Sequence, residues 1–253
     1  MRRLLLILAS VLAAAPAAAQ QGGILIYSGT TGYRHDSIPA GIEAVRRLAA
    51  DRGLGAEASE DPAIFTPERL SRFRVIVLLS TTTDPKNPAS EWLVGPRATA
   101  LRQFVANGGG ILAIHAAADS HYHSPWYGRL IGGHFEHHPP GTPRGRVSMA
   151  NPSHPANRSL PATVERTDEW YYFDDYDPRS SLLMTLDPAS IGERDANANP
   201  MAWTRHVDGG RVFYTAMGHT TESYSEPWFV DHLAGGLDWL LDAGPFSRPG
   251  SRL

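Results

Sequence analysis

Short apolar runs, each closed by glycine or by small polar residues, recur along the chain and alternate with helical periodicity. Ile24–Ser28 ends at Gly29, Arg74–Leu79 runs into Ser80–Thr83, and Ile111–Ile114 is followed at once by His115. Gly210–Ala216 leads to Gly218 and His219. Runs of this length bounded by turn residues predict buried strands. Between them, Ile38, Ile42, Val45 and Leu48 fall on one face of a helix predicted over Ile38–Asp51 and closed by Gly53. Leu101, Phe104 and Val105 do the same for Thr99–Asn107, which stops at Gly108–Gly110. Phe229, Leu233, Leu237 and Leu241 stripe a last helix over Phe229–Leu241. The segment from His121 to Asp177 is less regular, with strands predicted at Arg146–Met149 and, beyond it, Leu182–Leu186.

Strands alternating with helices predict an α/β fold, a doubly wound, mostly parallel sheet covered on both faces. Parallel strands end on one edge, and ligands bind in the crevice outside that edge. Four polar loops follow predicted strands: Gly29–His35, Ser80–Thr83, His115–Asp119 and Gly218–His219. The fold therefore sends His35, Thr82, His115, Asp119 and His219 toward one cleft.

The first 21 residues have a different pattern. Arg2 and Arg3 precede an apolar run from Leu4 to Ala15, and small residues surround Ala17–Ala19. This is the pattern of a secretory leader, predicted to span 1–19 and to direct the chain to the periplasm or exterior. The run is short for a bilayer span, so no stable membrane insertion is expected after cleavage. The remaining chain is predicted as one domain over 22–244 with a mobile tail over 245–253. Losing Arg2 and Arg3 takes the formal charge from −3 to −5, which gives no pull toward nucleic acid. Cysteine is absent, which excludes disulfides, Cys-ligated zinc and thiol nucleophiles.

Six of the 11 histidines lie between His115 and His138: His115, His121, His123, His134, His137 and His138. Neutral imidazole ligates metals and accepts protons near neutral pH, so this density points to a metal or acid–base site. No H-E-x-x-H or G-x-S-x-G motif is present. His115 stands at a strand–turn junction, where its ring would enter the crevice. Asp168 and Glu169 precede Trp170, Tyr171, Tyr172 and Phe173. The carboxylates suit acid–base work or metal ligation, and the rings suit the apolar faces of sugars. The same segment also reads as an aromatic plug with an acidic edge.

Several segments, in order, resemble the ThuA-like (trehalose utilisation) family: TGYRHDSI, GGGILAIHAAAD, WYGRLIGGHFEHHP, NPSHPA, DEWYYF and GRVFYTAMGH with EPWF. The resemblance implies a flavodoxin-like, three-layer fold of the class I glutamine amidotransferase type. It also implies site residues at His35, His115, Asp168, Glu169 and His219 and at the HP histidine His138, with His134 and His137 of HFEHHP as open alternatives to it and His154 matching as a structural residue. Amidotransferase chemistry itself is excluded, because its nucleophile is a cysteine. The implied role is catabolism of trehalose-type disaccharides or their keto derivatives.

Two functions follow from residues and resemblance together. In the first, the protein is a hydrolase, lyase or isomerase acting on a small-molecule carbohydrate. Its catalytic residues are His115, Glu169 and Asp168, with His35, Asp119, Trp170, Tyr171 and Thr82 binding substrate. A divalent metal such as zinc would sit on His115, His138 and His219. In the second, it is a non-catalytic periplasmic sugar-binding or accessory module.

Overall fold

The computed structural model describes residues 22–194 and 197–242. The predicted leader and the tail over 245–253 lie outside the described residues. The first half builds a flavodoxin-like core. Strands β1 (Gly23–Tyr27), β2 (Ala56–Ser59), β3 (Phe73–Leu79) and β4 (Gly110–Ile114) are joined by helices α1 (Ile38–Ala50), α2 (Pro67–Leu70) and α3 (Pro96–Ala106). After α4 (Pro125–Ile131), the chain forms β5 (His134–His137), β6 (Arg144–Met149), β7 (Thr163–Thr167), β8 (Tyr172–Asp174) and β9 (Ser181–Asp187). It closes with β10 (Asn199–Val207), β11 (Gly210–Thr215) and α5 (Pro227–Leu241).

The sheet order is β2-β1-β3-β4-β11-β10-β9-β6-β7. The first five strands are parallel, and their order is that of flavodoxin-type sheets. The last four add antiparallel pairings to one edge. Apart from the edge strand β2, the parallel strands are mostly apolar runs because they are covered twice. Phe213 and Arg211 face α5 at Gly236 and Trp239, whereas Gly210 faces Val105 of α3. One strand thus packs a helix on each side of the sheet. The central register aligns Ile26, Val77, Leu112 and Phe213 across neighbouring strands. All four are fully buried. Each α-helix has proline at its first or second position, where a missing N–H costs nothing.

The predicted core strands and three predicted helices appear within a few residues of their expected bounds. Short or mixed elements such as β2, β5, β7, β8, β10, α2 and α4 do not follow from apolar periodicity. Strands β5 and β8 pair as a separate ribbon, His134 opposite Asp174 and Phe135 opposite Phe173. This ribbon walls one side of the cleft. Among the described residues, no helix is long and apolar enough to cross a membrane.

Candidate active site

Each wall of the cleft comes from a strand end. The loop after β1 carries Tyr33 and His35 and is tied to the loop after β3. Thr31 and Gly32 donate their N–H groups to Thr82 O at 3.0 and 3.2 Å, and Thr82 Oγ1 donates to Tyr33 O. A side chain at position 32 would meet the Thr83 backbone at 3.0 Å, so the loop needs glycine there. Thr82 is thus a buried anchor of the Tyr33–His35 loop, and it does not line the cleft as a substrate-binding residue.

His115 follows β4 with φ +52°, a left-handed conformation that is strained for a non-glycine residue and swings the ring out of the sheet edge. Its Nδ1 lies 2.7 Å from Ala216 O, so Nδ1 donates and Nε2 presents a lone pair to the cleft. That Nε2 lies 3.2 Å from His219 Nδ1 and 3.5 Å from Glu169 Oε2. His219 Nδ1 is also 3.2 Å from Glu169 Oε2. His35, 3% exposed, sets its ring edge-on to His115 and His219 with centroids 4.8 and 5.2 Å away. The four ligand-type atoms of His35, His115, Glu169 and His219 all lie within 4.8 Å of one another.

His138 approaches from the ribbon side. Its Nε2 is 3.2 Å from Glu169 Oε1, and its Nδ1 is 2.9 Å from Pro139 O. It therefore grips the outer oxygen of Glu169 and lies outside the four-atom cluster, in which His35 stands in its stead. The other two histidines of HFEHH point elsewhere. His134 stacks on Tyr122, and the exposed His137 pairs with Glu136 and stacks on Tyr172.

The DEWYYF segment alternates sides, as extended backbone must. Glu169 and Tyr171 face the cleft, while Asp168 and Trp170 face away. Asp168 is fully buried and accepts from the N–H groups of Gly218 at 2.9 Å and His219 at 3.1 Å, with Arg166 3.2 Å away. It holds the turn that presents His219, and so it is a positioning residue without access to substrate. Gly218 has φ +114°, and a side chain there would meet Tyr224 Oη at 2.9 Å. Trp170 is fully buried, with its indole N–H donating to Pro143 O at 2.8 Å. Tyr171 packs its ring 4.4 Å from His115 and 4.2 Å from Phe135.

The resulting cleft has a volume of about 350 Å³ and is lined by Tyr33, His35, Asp119, Phe135, His138, Glu169, Tyr171 and His219. Tyr33 and Phe135 belong to it although their sequence context singles out neither. The ribbon pairing and a bond from the Phe135 N–H to Ala118 O at 3.1 Å bring Phe135 to the cleft.

The electrostatics of the cleft divide its groups by proton affinity. Burial, reinforced by repulsion from His115 and His219, pushes His35 down to about 2 and keeps it neutral. Burial raises Glu169, but the two imidazoles facing its Oε2, His115 and His219, outweigh burial and hold the carboxyl well below its usual range. The same carboxylate raises His219. Across the cleft, burial pushes Asp119 up to about 6, against a hydrogen bond from Tyr122 Oη. A low-pKa carboxylate and a high-pKa one thus share a single cleft, a pattern that separates base from acid.

Similarity to known proteins agrees with this architecture. Over 90% of this chain and 94% of the other, it is similar to a ThuA-like protein from Bacteroides uniformis at 22% identity and a TM-score of 0.71. A ThuA-like protein from Parabacteroides merdae gives the same TM-score at 17% identity, covering 92% and 93%. A β-galactosidase from Bacillus circulans shares the fold over 90% of this chain but only 32% of its own, at 12% identity and a TM-score of 0.55. No curated protein matches the chain. The model of the ThuA family, described as trehalose utilisation, matches residues 23–240. The chain belongs to the ThuA family, whose role is in carbohydrate use.

Proposed function

We propose that this protein is an enzyme of carbohydrate breakdown that acts on a trehalose-type disaccharide carrying a keto group, with Glu169 and its imidazoles as the proton-accepting side of the cleft. The observation that carries this reading is the carboxylate itself. Oε2 of Glu169 meets His115 and His219, and Oε1 meets His138, on the floor of an open cleft of sugar size. Tyr33 and Phe135 offer flat faces to a pyranose ring, and Asp119 stands on the same cleft surface as a proton donor below about pH 6.

The chemistry balances for an elimination. The base side takes a proton from the carbon next to the ketone, and the electron pair moves onto the carbonyl oxygen. The enolate then expels the glycosidic oxygen, which takes a proton from the acid side. Hydration of the product would return a keto-monosaccharide. Positioned groups of this kind contribute about 10²–10⁴-fold each. The secretory leader expected at 1–19 would place the reaction outside the cytoplasm.

The aromatic lining also suits a sugar-binding module with no chemistry. Assays with 3-keto-disaccharides, run with wild type and Glu169→Gln, separate the two. Product formation that falls at least 100-fold in the variant is expected. Calorimetric binding of the same sugars with no product from wild type would leave the module as the answer.

A further inference from the structure

The geometry points to a mononuclear divalent transition-metal site in which His115 Nε2, His219 Nδ1 and Glu169 Oε2 are the inner ligands and His35 the fourth. It rests on the carbohydrate reading only for the substrate that would meet the ion, and with the ion bound Glu169 and the inner imidazoles serve as its ligands in place of free proton acceptors. The spacings carry the argument. The three inner atoms are separated by 3.2, 3.2 and 3.5 Å. Ligands on a tetrahedral ion with bonds of about 2.0–2.1 Å stand about 3.3–3.4 Å apart. Two imidazoles and a carboxylate at that separation form one face of such a polyhedron. His35 offers a ring nitrogen within 4.8 Å of the other three, and its Nδ1 is buried without a hydrogen-bond partner.

The surroundings are those of held ligands. Nδ1–H of His115 donates to Ala216 O at 2.7 Å, which fixes the tautomer and aims Nε2. The His219 backbone is clamped by Asp168, itself paired with Arg166. Glu169 Oε1 is occupied by His138 at 3.2 Å, which leaves Oε2 as a single donor. His138 is thus the outer partner of the carboxylate. Imidazole and carboxylate together suit Zn²⁺, Ni²⁺, Fe²⁺ or Mn²⁺, and the chain has no thiolate to favour softer ions. Glu169, His35 and His219 line the cleft, so a keto or hydroxyl oxygen of a sugar would add a fifth ligand from that side.

The test uses the purified chain, stripped by a chelator and titrated with Co²⁺, whose visible spectrum reports ligand number and type. Zn²⁺ is then titrated in competition with a chromogenic chelator. One ion per chain is expected. Glu169→Gln and His219→Gln should weaken binding at least 100-fold, and His138→Gln about 10–100-fold as an outer partner. His123→Gln, in the neighbouring cluster, should leave it unchanged. Circular dichroism before titration separates a lost site from a lost fold, and the half-exposed His138 keeps the test open if an inner variant does not fold. A folded wild type that takes up no ion at micromolar concentration overturns the site, as does equal affinity in Glu169→Gln and His219→Gln. Sugar turnover that survives chelation overturns the metal and leaves the enzyme. One bound ion without turnover of any sugar supports the site and removes the enzymatic reading alone.

Discussion

Two histidine–glutamate clusters lie close together in this fold, and they do different things. His115 and His121 both follow β4, both are fully buried, and both adopt positive φ, +52° and +54°. Each has a glutamate nearby, Glu169 for the first and Glu91 for the second. At His115, one ring nitrogen is bound to a carbonyl and the other converges with three further groups on a cleft. At His121, the ring sits between Trp92 and Tyr127 with centroids 4.6 and 4.7 Å away, and neither nitrogen has a hydrogen-bond partner. Glu91 Oε2 stays 3.8 Å off, and its Oε1 accepts from the His123 N–H at 2.8 Å and faces His123 Nδ1 at 3.0 Å. Burial holds His121 down at about 3, so it behaves as a neutral aromatic ring. The lesson is that imidazole density along the chain does not identify a site; convergence from separate strand ends does.

The sharpest way to break this comparison is to neutralise the cleft carboxylate. Glu169→Gln should lower kcat/KM on a keto-disaccharide about 10²–10⁴-fold. Asp119→Asn should cost roughly 10–100-fold and abolish a fall in activity as pH rises through about 6, the limb set by its raised carboxyl. A pH–rate profile of both forms checks this. Activity unaffected in Asp119→Asn would remove it from the acid role.

A third effect concerns stability. His121 and the fully buried His232 are both held near 3, below the ordinary 6.5. Between those values the unfolded chain binds more protons than the folded one, so stability must fall as pH drops from about 6.5 toward 3. Each group contributes up to about 1.4 kcal/mol per pH unit. Asp119 works in the opposite sense, losing stability as pH rises from about 4 to about 6, and offsets part of this slope. Urea unfolding at pH 7, 6 and 5 should show the decline, and His121→Phe should make it shallower. The smallest effect is expected from Tyr33→Ala, which removes an exposed ring from the cleft rim and should raise KM roughly threefold with kcat kept. An unchanged KM would place the sugar deeper than this ring.

Much of the parallel half is legible because β1, β3, β4 and β11 are apolar on both faces and end in polar loops, whereas the edge strand β2 is only partly buried. That pattern alone sends His35, His115 and His219 to one edge. Glu169 is legible from its acidic, aromatic neighbours, but composition alone does not separate it from Asp168 and Trp170. The signal was there: extended backbone alternates sides, so 169 and 171 must share a face that 168 and 170 do not. His138 and Phe135 were harder. They arrive on a ribbon of three- and four-residue strands that pairs β5 with a segment far along the chain, and no local periodicity reports such pairing. Strand β10 does not read as a strand because Arg205 and His206 interrupt its apolar pattern, yet its antiparallel pairing extends the sheet beyond β11.

The most direct measurement sets the two glutamates against each other in one assay: kcat/KM on a 3-keto-disaccharide for Glu169→Gln and for Glu91→Gln, each verified as folded. The account predicts at least a 100-fold loss in the first and a value within about threefold of wild type in the second. Comparable losses in both, or a greater loss in Glu91→Gln, would contradict it.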